Sequence, residues 1–147
     1  MVKRVLLAVD DSAASLAAAT LAIDIASITG SALRIVHVVA DGAVTTLLSS
    51  SGVGDVADWQ RRTGGGLLDH LAARAERAGV HPEKVQMLGE PAERVLADAR
   101  SWRADLIVIG RSSMRGAGQP YIGQSAQRVL EFAEQPVLVV PPPMSSE

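Results

Sequence analysis

The sequence predicts an α/β fold, a doubly wound, mostly parallel five-stranded sheet with helices on both faces. Three observations carry that prediction. The runs Val5–Val9, Leu33–Val39, Leu106–Ile109 and Val137–Val140 are apolar almost without interruption, the pattern of strands buried on both sides. The stretches between them place apolar residues at helical spacing and are punctuated by capping residues. Strands and helices alternate along the chain, and parallel neighbours need such helical crossovers.

Each element follows from its own residues. Ser12 can cap a helix from Ala13 to about Thr29, with Leu16, Thr20, Ile23 and Ser27 on one face, Leu21, Ile25 and Ile28 on the next, and Gly30 as the stop. The strand Leu33–Val39 is broken in its apolar character only by Arg34 and His37. From Ala40 to Asp58 small and polar residues predominate, including Ser49–Ser51, and a mobile loop is expected. A helix is expected from about Asp58 to Ala78 on the spacing of Leu67, Leu68, Leu71 and Ala75, ended by Gly79. Its triple glycine, Gly64–Gly66, predicts a late start or a kink, because each costs about 1 kcal/mol relative to Ala inside a helix. Val85–Leu88 reads as a short strand, and Pro91 suits the first turn of a helix reaching Trp102. After Gly110 a long loop is expected, then a helix over Gly123–Glu134 and a last strand over Pro136–Val140, closed by Pro141–Pro143.

Composition narrows the function. A chain of 147 residues is the size of a single domain, residues 1–147. Fourteen Lys plus Arg against 16 Asp plus Glu give a formal net charge of −2, which disfavours a nucleic-acid partner. Zero cysteines exclude disulfides, thiolate catalysis and sulfur-ligated zinc, and His37, His70 and His81 lack ligand spacing. The apolar run after Met1 is far short of the roughly 20 residues of a membrane span and lacks a secretion cleavage site, so the cytoplasm is the expected address.

Doubly wound sheets bind ligands at the carboxyl ends of their strands, so function is expected after Val9, Val39 and Ile109. Asp10 can serve ribose hydroxyls or Mg²⁺, or merely cap the helix at Ala13. The segment from Gly110 to Gln124 is long against the usual two to six or so residues of such a connection. Its small residues allow close backbone approach, Ser112 and Ser113 add hydroxyls, Arg111 and Arg115 add charge, and a helix start follows at Gly123. That combination suits phosphate, although a solvated surface loop accounts for the same composition. Neither GxxxxGK[ST] nor GxGxxG after a first strand occurs. Trp59, Trp102 and Tyr121 are too dispersed for a base-stacking platform, though Tyr121 can cover a ligand or pack on the last helix. His37 reads as a core histidine without a catalytic partner. A catalytic Ser would need a neighbouring base and phosphoryl transfer a placed Lys or Arg with a metal-binding carboxylate, a set that Asp10 alone does not complete, so an enzyme is not expected.

An acidic pair after the first strand resembles the receiver domains of two-component signalling. The third strand leads into Leu88-Gly89-Glu90-Pro91 and the fifth into Pro141, where those domains need Asp and Lys. A fuller match covers Arg4 to Val140. It comprises Arg4-Val5-Leu6-Leu7-Ala8-Val9-Asp10-Asp11-Ser12, His37-Val38-Val39, Gly89-Glu90-Pro91-Ala92-Glu93, Ala104 to Gly110, Ser125 to Leu130 and Pro136 to Val140. With these motifs the chain resembles the universal stress protein family, whose fold is Rossmann-like and of the adenine nucleotide alpha hydrolase type. Nucleotide-binding members carry G-x2-G-x9-G-[ST] after the fourth strand. Here Gly110 and Gly123 match the first and third glycines, Ser113 replaces the second, and Gln124 replaces the Ser or Thr, with Ser125 one position late.

The resemblance implies an ATP or other adenine nucleotide site, with Mg²⁺ on the phosphates. It would be built from Ala8, Val9 and Asp10, from Val38 and Val39, and from Gly110, Arg111, Ser112, Ser113, Arg115, Gly116, Gly123, Gln124 and Ser125. It also implies a homodimer through the edge strand Val137–Val140, which agrees with the unpaired backbone of an apolar edge. Two functions stay open: a stress or regulatory module that binds nucleotide without turning it over, and a dimeric interaction protein of the same fold that binds none. A slow ATPase or phosphotransfer enzyme is the weaker third.

Overall fold

The computed structural model describes residues 1–10, 12–40, 56–111, 113–115, 119–121 and 124–143. The elements in chain order are β1 (Arg4–Val9), α1 (Ala13–Thr29), β2 (Ala32–Ala40), α2 (Val56–Arg77), β3 (Glu83–Gly89), α3 (Pro91–Trp102), β4 (Leu106–Gly110), β5 (Ser113–Arg115), β6 (Gln119–Tyr121), α4 (Gln124–Phe132) and β7 (Val137–Val140). The main sheet has the order β3-β2-β1-β4-β7, every pair parallel. β1 lies at its centre, with Leu7 opposite Ile35 on one side and Val108 on the other. From β1 the chain winds outward through β2 and β3, then returns to the other side for β4 and β7. The order reverses between β1 and β4, as the predicted doubly wound class requires.

Two apolar layers sandwich the sheet. Val5, Leu7, Leu33, Ile35 and Val108 pack beneath α1 and α2. Leu6, Ala8, Val36, Ile107 and Ile109 pack beneath α3 and α4. The inner strands β1, β2 and β4 feed both layers because successive side chains point to opposite faces, and this is why their runs are so nearly apolar. α1 meets the sheet through Ala14, Ala18, Ala19, Ala22 and Ala26, all essentially inaccessible to solvent. The expected caps are present. Ser12 Oγ accepts from the Ser15 N–H at 3.2 Å, and Gly30 takes the left-handed conformation (φ 68°) that ends the helix.

α3 explains the Gly89-Glu90-Pro91 motif. Gly89 has φ 144°, which a side chain would strain, Pro91 occupies the first turn, and the Glu90 carboxylate accepts from the N–H groups of Ala92 (3.3 Å) and Glu93 (2.8 Å). Arg34 then ties β2 to α3. Its Nε and Nη2 each donate to the Asp98 carboxylate at 2.8 Å, Nη1 donates to Glu83 at 2.7 Å, and the guanidinium stands 5.7 Å from the Trp102 ring centroid. The bonds to Asp98 push the already high Arg34 pKa further up.

Three expectations are corrected. The segment after β4 is not merely a loop, since β5 and β6 form an antiparallel pair with Ser113 opposite Tyr121 and Arg115 opposite Gln119. Strands of three residues are too short to show a period of two, and Pro120 argues against a strand unless, as here, it lies in a two-stranded edge. α2 begins at Val56, and residues 41–55 of the expected mobile loop lie outside the described residues. α2 also starts ahead of the triple glycine rather than late, and its helical range continues through Gly64–Gly66. The reason is a close approach: a Cβ on Gly64 would overlap the His37 ring on β2 and come within 2.8 Å of Gln86 Nε2 on β3. Gly64 lets the helix sit down on the sheet, while Gly65 and Gly66 face open space.

Adjacent glycines should therefore answer alanine differently. Gly65→Ala should stabilise the protein by about 0.5–1 kcal/mol through helix propensity, whereas Gly64→Ala should forfeit that gain, because the His37 ring and the Gln86 amide must swing aside. Urea midpoints of the two variants check this.

Candidate functional site

At the carboxyl ends of β1 and β4, where the strand order reverses, a cavity of about 240 Å³ opens on the α3 and α4 side of the sheet. Its floor and walls are apolar. Ala8 comes from β1, Val36 and Val38 from β2, Ile109 from β4, Val95 from α3 and Val129 from α4. Polar groups gather at one end: Asp10 and Ser15 at the start of α1, and Gln124 and Ser125 in the first turn of α4. Asp10 is the cavity's one ionisable side chain among the described residues. Pro91 and Ala92, at the start of α3, also border it, and the Glu90 cap lies 3.6 Å from Arg128, linking the two helices that wall the cavity.

Asp10 is held by the turn that follows β1. Its Oδ1 accepts from the Ser12 N–H and from the Ser15 hydroxyl, both at 2.9 Å, and its own N–H donates to Ser15 Oγ at 2.8 Å. Oδ2 takes no bond among the described residues, which leaves an acceptor for a ligand hydroxyl or amine. Gly110 is small for a steric reason. A Cβ there would lie 2.7–2.9 Å from the carbonyl carbon, oxygen and Cβ of Ala14, so β4 could not end against the first turn of α1.

Of the residues expected at a ligand site, Ala8, Val9, Asp10, Val38, Gly110, Gln124 and Ser125 line this cavity together. Val39 does not: the alternation of β2 turns its side chain to the opposite face, where it is buried. Arg111 stands just past β4, where its N–H donates to the Val140 carbonyl at 2.7 Å and its buried Nε has no partner among the described residues. Ser113 and Arg115 fall in β5, while Ser112, Gly116 and Gly123 lie outside the described residues. Sequence reasoning missed Ser15, Val36, Pro91, Ala92, Val95, Ile109, Ala126 and Val129 as cavity residues. The apolar ones follow the spacing of ordinary core positions. Ser15 alone carried a usable signal, three residues after the Ser12 cap at a helix start.

Comparison with known proteins agrees with the architecture. Residues 1–141 match the model of the universal stress protein family. Universal stress protein YxiE of Bacillus subtilis is 26% identical over 147 residues, covering 95% of this chain and 99% of that protein. Among solved structures, the universal stress protein UspA of Lactobacillus plantarum superposes with a TM-score of 0.83 at 22% identity, over 94% of this chain and 97% of that one. A universal stress protein of Archaeoglobus fulgidus in complex with dAMP gives 0.69 at 22% identity, over 95% and 98%. An Arabidopsis thaliana family protein with AMP bound gives 0.70 at 19% identity, over 95% and 91%. At these identities the structural likeness is one of fold.

Gly110→Ala should cost about 1–3 kcal/mol by chemical denaturation, since backbone rather than a movable side chain blocks the added methyl.

Proposed function

The chain belongs to the universal stress protein family, and on that premise we propose that it binds an adenine nucleotide in the crevice between β1 and β4 as a regulatory module, without turning it over. One observation carries this reading. The cavity at the reversal of strand order joins an apolar slot, suited to a flat base, to a carboxylate with an open oxygen and the first turn of a nine-residue helix. The base would lie against Val36, Val38 and Val95, Asp10 would meet a ribose hydroxyl or the adenine amine, and the phosphates would lie toward Gln124 and Ser125. The relatives solved with AMP and dAMP support the ligand class. ATP is the fuller form of the proposal. Among the described residues no cluster of three His, Cys, Asp or Glu could hold a metal ion, so Mg²⁺ would come with the nucleotide's own phosphates.

Binding without turnover is supported by the lining. Asp10 is its single ionisable group among the described residues, and no His, Lys or Arg among them lines the cavity beside the Ser15 hydroxyl. The cytoplasm is the proposed place of action; no helix among the described residues is long and apolar enough to cross a membrane.

The assembly proposed is a homodimer through β7. This strand is an edge of the sheet, with Val137, Leu138 and Val139 only half-buried, and Leu130 and Phe132 of the preceding helix are 43% and 60% exposed. The opposite edge, β3, instead carries Glu83 and Lys84, which discourage edge pairing.

Calorimetric titration with AMP, and with ATP and Mg²⁺, should give saturable heat that Asp10→Ala weakens by about tenfold or more. Absence of heat from every nucleotide would leave the dimeric interaction module as the function. Sedimentation at tens of micromolar should find a dimer that a charge at Val139, as in Val139→Lys, converts to monomer; a monomer before substitution would refute the assembly.

A further inference from the structure

We propose that Ser15 is the positioning residue of the site, the group that fixes the Asp10 carboxylate in the single orientation a ligand can use. This rests on the reading of the cavity as a nucleotide site. Ser15 is 3% exposed and lines the cavity, and its hydroxyl both accepts from and donates to one neighbour, Asp10. The Asp10 N–H can only donate, so at 2.8 Å it takes a lone pair of Ser15 Oγ. The Ser15 proton is then left for Asp10 Oδ1, 2.9 Å away. The two contacts close a ring that spans the backbone and the carboxylate of one residue, so the hydroxyl sets the side-chain torsions of Asp10.

The Ser12 N–H adds a second donor to the same Oδ1. With both internal donors on one oxygen, the other is left as the acceptor. Ser15 is itself held in place, because its N–H donates to the Ser12 cap in the first turn of α1. Without the hydroxyl, the Asp10 side chain keeps one donor of two and can rotate away from the ligand. A bound nucleotide would then have to order it, at the expense of affinity.

Three-bond Hα–Hβ couplings of Asp10 in the unsubstituted, ligand-free protein should report one rotamer, and averaged couplings there overturn the proposal before any variant is made. Ser15→Ala should average those couplings and weaken AMP about tenfold by calorimetry, the loss expected for a hydrogen bond to a charged group. Introduced into Asp10→Ala, the same substitution should change AMP affinity no further, since it acts only through the carboxylate. A purely structural serine would lower the melting temperature in both backgrounds while leaving the affinity of the folded protein unchanged. Unchanged affinity in Ser15→Ala, or a second full loss on top of Asp10→Ala, therefore overturns the positioning role alone. No saturable heat with AMP, or with ATP and Mg²⁺, from the unsubstituted protein overturns it together with the nucleotide reading.

Discussion

The site depends on β1 and β4 lying side by side while the chain leaves them in different directions. Their pairing, from Val5 opposite Leu106 to Ala8 opposite Ile109, is buried on both faces, so neither strand can be displaced without opening both apolar layers. α1 packs on one face of the sheet and α4 on the other. The divergence leaves a crevice that no element of the fold needs to fill, and Gly110 keeps it narrow by letting the end of β4 touch the first turn of α1.

Polar groups then arrive at the crevice as by-products of helix starts. Asp10 and Ser15 stand at the start of α1, and Gln124 and Ser125 lie in the first turn of α4. A helix start must satisfy its own N–H groups, so capping chemistry and ligand chemistry draw on the same side chains. Asp10 illustrates the overlap: the turn that launches α1 consumes one of its oxygens and leaves the other.

The sheet was legible in the sequence because a strand buried on both faces has a local signature, and the caps were legible because a cap acts over three residues. Close approaches between distant segments have no local signature. Gly64 read as a weakness in a helix and is in fact the point where that helix meets His37 and Gln86. Gly110 read as part of a phosphate loop, and the structure adds a packing reason that involves Ala14, almost a hundred residues earlier. Val95 and Val129 were unremarkable core positions until the fold left a space beside them. The short β5–β6 pair fell below the length at which alternation can be read at all.

The alanines of α1 have a wider consequence. A helix that approaches a sheet through methyl groups leaves little to lose when a side chain is shortened and no room when one is lengthened. Tolerance in this half of the core is therefore one-sided. Ala18 or Ala22 enlarged to valine would overpack the contact between α1 and the sheet. Drift in composition is constrained here by volume more than by polarity, which gives a physical reason for a chain with a large core to contain so few aromatic residues.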